Sequence, residues 1–232
     1  MNGTLTVDDL SFQVRRSPRR NTLQITVDRE GELILSAPET CEEATMAEFV
    51  REKKFWIYTK LSEKERLRRP KVKKEFVNGE GFSYLGRSYR LLLVDEQDVP
   101  LKLERGRFCL RRDEAPQGRE HFLRWYQEHG RVWLSHRVMQ FTPRMGVEPA
   151  GLEVRDLGFR WGSATPSGTL NFHWAVMQLS AGLVEYVVVH ELAHLKEQHH
   201  TPEFWLRVER VLPDYERRRT ELAHRGGTVW RG

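Results

Sequence analysis

Val187-Val188-Val189-His190-Glu191-Leu192-Ala193-His194-Leu195-Lys196-Glu197-Gln198-His199-His200 holds an H-E-x-x-H pattern inside an apolar run. On a helix, residues four apart differ by about 40° in azimuth, so His190 and His194 project from one face. Two imidazoles so placed can share one metal ion, and Zn²⁺ is the ion this spacing suits. Glu191 stands about 100° round from His190, beside such an ion without binding it, where its carboxylate can take a proton from water. A catalytic zinc takes three protein ligands and keeps a fourth position open. Along an unbroken helix, residue 200 would lie about 15 Å from His190. His200 therefore joins only if the helix stops around Glu197–His199 and the chain turns back. Thr201 as N-cap and Pro202 at the first helical position supply that restart. The expected centre is His190, His194 and His200, with Glu191 as general base and His199 as the rival for the third place. Glu197, about two turns on from His190, reads either as a carboxylate supporting the centre or as a solvated helix end.

The run Tyr186–Glu197, then His200-Thr201-Pro202-Glu203-Phe204-Trp205, resembles the YgjP-like zinc metallopeptidases, relatives of the SprT-like and WLM minimal zincins. Arg160-Trp161-Gly162-Ser163 and Gly168-Thr169-Leu170-Asn171-Phe172 resemble the same family. After the first of these, the chain has Ala164-Thr165-Pro166 where members often carry a Cys or a second Ser. The resemblance implies an α+β, zincin-like fold. It implies Zn²⁺ on His190, His194 and His200, Glu191 as catalytic base, and a peptide or protein substrate. It also implies that the strand before the metal helix, Thr169–Val176, forms the edge of the active site, to which an extended substrate could pair.

The 232 residues are 39% hydrophobic and 31% charged, the composition of a folded, soluble chain. A formal net charge of +5 permits an acidic partner without requiring one. Cys41 and Cys109 fall in separate elements, which fits a reducing compartment rather than a disulfide framework. Met1–Phe12 has no apolar stretch of the secretory kind, and no run reaches transmembrane length. The expectation is a cytoplasmic protein with no membrane partner. An alternative function is a zincin-fold module bound to DNA or to DNA-bound proteins, with weak or no proteolysis. It would use the basic runs Arg66–Lys74 and Arg217–Arg219 for phosphate contact.

Two units are expected, a β-rich unit over 1–115 and the catalytic unit over 116–232, with no internal repeat. In the first, Leu23, Ile25 and Val27 alternate against Leu33 and Leu35 in a hairpin. Residues 41–67 read as one long helix with Met46, Phe49, Val50, Phe55, Trp56 and Ile57 on its apolar stripe. In the second, a helix over 119–140 is interrupted at Gly130 and ended by Thr142-Pro143. A strand Leu152–Leu157, a tight turn at Arg160–Ser163 and helices Pro202–Val211 and Tyr215–His224 follow. The tail from Arg225 onward is expected to be mobile. His121, His129 and His136 lack metal spacing and read as packing or surface groups. His173 and Tyr186 read as core residues, the lesser alternatives being polarisation of a substrate carbonyl for His173 and oxyanion donation for Tyr186.

Overall fold

The computed structural model describes residues 3–28, 32–67, 73–158 and 160–231, with 59 and 62–67 as backbone alone. The chain forms two compact units, Met1–Arg69 and Pro70–Gly232. Among the described residues no helix is long and apolar enough to cross a membrane.

In the first unit, β1 (Gly3–Val7) turns through Asp8, whose φ is 53°, into β2 (Leu10–Ser17). The strands β3 (Gln24–Val27) and β4 (Leu33–Pro38) form the expected hairpin. The sheet order is β1-β2-β4-β3, with β2 and β4 parallel at its centre. Leu10, Phe12 and Val14 alternate inward on β2, as period two requires. Helix α1 (Glu43–Glu52) and helix α2 (Lys54–Leu67) cover that face with Met46, Val50 and Ile57. The long helix expected over 41–67 is thus two. The break at Lys53 re-phases the stripe, so Ile57 stays buried while Phe55 (87% exposed) and Trp56 (42%) turn outward.

The second unit opens with β5 (Gly81–Tyr84), β6 (Arg87–Val94), β7 (Leu101–Glu104) and β8 (Arg107–Arg111), in the order β5-β6-β8-β7. This is the pairing of the first sheet again: a hairpin, a parallel central pair and a second hairpin. The chain therefore repeats a four-strand module although no repeat is visible in its residues, because pairing constrains only the alternation of apolar positions. Phe82 and Phe108 lie 3.8 Å and 4.9 Å from the Phe122 ring on α3 (Gly118–Met145). The strands therefore share one core with that helix. The division expected at 115/116 falls inside this core, and the compact units part at Arg69–Pro70 instead.

Helix α3 runs without interruption through Gly130. A Cβ there would stand 3.0 Å from Met177 Cγ, so glycine permits close packing and does not mark a bend. Nor does Pro143 end it. The Met139 carbonyl, which the missing Pro143 N–H cannot reach, accepts from the Thr142 hydroxyl at 3.1 Å. Gly146, with φ 62°, closes the helix.

A small sheet follows, built from β9 (Gly151–Arg155), β10 (Gly162–Ala164) and β11 (Thr169–His173) in the order β10-β11-β9. The segment expected to be a turn, Arg160–Ser163, leads into a strand, and β11 is the central strand, paired on both sides. Helices α4 (Ala181–Ala193), α5 (Pro202–Val211) and α6 (Tyr215–Arg225) complete the unit. The start of α4 is held by the β5–β6 hairpin. Leu85 N–H donates to Met177 O at 2.7 Å, and a Cβ on Gly86 would stand 2.9 Å from Ser180 Cα. The tail is packed rather than loose. Trp230 is 4% exposed, lies 5.5 Å from the Trp174 ring, and its carbonyl accepts from Gln178 Nε2 at 2.7 Å. Trp230 near the end of the chain and Gly226, which packs against Trp161, are both buried.

Candidate metal centre

Helix α4 is apolar on every side, and Leu183, Val184, Val187, Val188 and Leu192 bury it. It stops at Ala193, earlier than the Glu197–His199 expected. Lys196 and Glu197 N–H close tight turns onto Ala193 O at 3.1 Å and 3.0 Å. The chain then doubles back. Thr201 Oγ1 accepts from Phe204 N at 3.3 Å, and Pro202 occupies the first turn of α5. That cap fixes where His200 sits.

His190, His194 and His200 converge, their ligand nitrogens all within 4.8 Å of one another. His190 Nε2 stands 3.2 Å from His194 Nε2 and 3.0 Å from His200 Nε2. Nitrogens at about 2.0–2.1 Å from a tetrahedral ion are about 3.3 Å apart, so the spacing suits one shared ion. His194 Nδ1–H donates to Glu197 O at 3.0 Å, which leaves its Nε2 lone pair facing the other two rings. Glu197 thus supports the centre through its backbone, while its carboxylate lies 3.9 Å from Arg207 Nη2. His199 is not among the converging groups of the described residues.

Burial first, and then His194 and His200, push the His190 pKa down to about 3. Burial lowers His194 and His200 as well. All three rings are therefore neutral near pH 7, the form that binds metal. Phe204 lies under the centre, its ring 5.0, 4.6 and 4.8 Å from those of His190, His194 and His200. Trp205 stacks on His200 at 5.5 Å. Neither aromatic stood out in the sequence as more than helix packing, because ring contacts across a turn leave no periodic trace.

Glu191 is 6% exposed, and burial pushes its carboxyl up to about 8, with the charge of Arg160 opposing. It packs against β10. A Cβ on Gly162 would lie 2.7 Å from both Glu191 Cγ and Oε1. The Trp-Gly-Ser run therefore meets the H-E-x-x-H helix at the glutamate itself. Behind β10, Arg231 lies 4.3 Å over the Trp161 ring.

Other candidates fall away from the centre. His173, 1% exposed, accepts from Ala175 N at 3.0 Å through Nδ1 and faces Asp156 Oδ1 at 3.3 Å through Nε2, a structural role. His121 pairs with Glu114 and His129 stacks on Trp125. Cys41 and Cys109 are free and part-exposed. Of the run Arg217–Arg219, Arg217 and Arg218 both pair with Asp214 and are thereby committed. Most of Arg66–Lys74 lies outside the described residues.

Three convergent imidazoles with a buried carboxylate alongside define a candidate centre for metal-assisted hydrolysis. The YgjP-like metallopeptidase domain matches residues 21–225, and the chain belongs to that family. A metallopeptidase of this family acts on peptides or proteins and uses a metal. Among solved structures, the crystal structure of the metallopeptidase zymogen of Pyrococcus abyssi abylysin is 24% identical, covering 38% of this chain and 90% of that one, with a TM-score of 0.36. No curated protein matches the chain.

Proposed function

We propose that this chain is a zinc-dependent peptidase in which His190, His194 and His200 hold the metal and Glu191 is the general base. The observation that carries this reading is the convergence of the three Nε2 atoms at 3.0–3.2 Å around His190. Held there, Zn²⁺ would polarise a peptide carbonyl and acidify water. Glu191 takes the proton of the attacking water on its carboxylate and returns it to the leaving amine. Gly162 keeps the carboxylate in place by allowing β10 within van der Waals distance. The free edge of β10, rather than β11, receives the extended substrate backbone.

The reading is tested by metal removal. A chelator should abolish cleavage of an unfolded protein substrate, and one equivalent of zinc should restore it. Cleavage at full rate in the metal-free protein would dismiss the proposal.

Gly162→Ala separates placement from metal binding. The added methyl would overlap Glu191 Cγ, which is held in the core and has little room to give. Zinc stoichiometry should stay at the wild-type level while kcat falls by about 10²-fold. Equal loss of zinc and activity would show that Gly162 acts on the fold instead.

A further inference from the structure

Helix α6 carries Arg217, Arg218, Arg219 and Arg225, and their partners differ. Arg217 and Arg218 are matched by Asp214, Arg218 also lies 3.3 Å from Glu185 Oε2, and Arg225 lies 2.8 Å from Glu221 Oε1. Arg219 has no carboxylate partner among the described residues. It is exposed, and its guanidinium lies 5.0 Å over the Trp205 ring. Trp205 is the ring stacked on His200, and it stands 6.0 Å from His190. Tyr215, one turn before Arg219, stacks on the same indole at 5.3 Å. An arginine lying over an aromatic ring can still offer its N–H edge to a planar, bidentate partner.

The Tyr186 hydroxyl, on a buried residue one turn before His190, also lacks a hydrogen-bond partner among the described residues. The wall of the centre nearest α6 thus presents an unmatched cation and an uncommitted hydroxyl.

We propose that Arg219 is a specificity-determining residue that binds a carboxylate of the peptide substrate, one or two residues from the scissile bond. An extended peptide advances about 3.3 Å per residue, so a neighbouring side chain or chain end can reach α6 while the scissile carbonyl lies at the histidines. The carboxylate can come from an acidic side chain or from the substrate's C-terminus. This inference rests on the metallopeptidase reading above.

The test measures binding rather than turnover. Succinyl hydroxamates of glutamate amide, of glutamine amide and of glutamine with a free carboxylate are titrated calorimetrically into the zinc-loaded protein. At least one carboxylate-bearing probe should bind about tenfold tighter than glutamine amide, the scale of one charge-assisted pair at an exposed site. The arm that shows the advantage identifies side chain or C-terminus as the source. In Arg219→Gln the ratio should fall to near one, and in Arg219→Lys part of it should remain. Equal binding of all three probes to the wild type, or a preference that survives in Arg219→Gln, overturns the assignment alone. Failure of every hydroxamate to bind overturns the metal centre, and this inference with it.

Discussion

Glu191→Gln leaves zinc bound at the wild-type level and lowers peptide hydrolysis by at least about 10²-fold. Glutamine fills the same space beside Gly162 and still hydrogen-bonds water, but it cannot accept a proton at neutral pH. The buried site makes the contrast sharp. Glu191 is 6% exposed and packed against Gly162, so its carboxylate is held in one place beside the three histidines. Among the described residues no carboxylate joins the three histidines in the group that could hold a metal, so a neighbour has little means of replacing Glu191. Zinc stoichiometry and initial rates on an unfolded protein substrate, measured on the same preparations, check the prediction. Hydrolysis at the wild-type rate would remove Glu191 from the mechanism.

His194→Ala should behave differently. In the proposed centre His194 would contribute one of three nitrogens, and its ring is already fixed by the 3.0 Å bond to Glu197 O. Its removal should take zinc content well below one equivalent, with activity falling in step. A ligand that binds the folded state stabilises it, by about 4 kcal/mol at a thousandfold excess over Kd. The rise in Tm on adding zinc should therefore vanish in His194→Ala and persist in Glu191→Gln. Scanning calorimetry with and without zinc measures both. A full zinc-dependent rise in His194→Ala would show that the ion binds elsewhere.

The centre was legible because its chemistry is local. His190, Glu191 and His194 share one helix, and Thr201-Pro202 announces the turn that brings His200 back. The α5 face of Phe204, Val208 and Val211 follows from the same helical period. What escaped the sequence depends on contacts between distant segments. Gly162 reads as a turn residue until β10 is seen against Glu191. β11 reads as an edge because it precedes the metal helix, yet pairing partners on both sides make it central. Trp230 reads as part of a glycine-rich tail, and its burial against Trp174 depends on where the tail returns. The duplicate four-strand module has the same cause, since two sheets can share a pairing order with few residues in common.

X-ray absorption at the zinc edge tests the three-histidine centre most directly. The wild type loaded with one equivalent should show three imidazole nitrogens and a fourth light ligand at about 2.0–2.1 Å. His200→Ala should lose one imidazole from that shell. An unchanged shell in His200→Ala, or sulfur scattering at about 2.3 Å, would contradict the assignment of His190, His194 and His200 as the metal ligands.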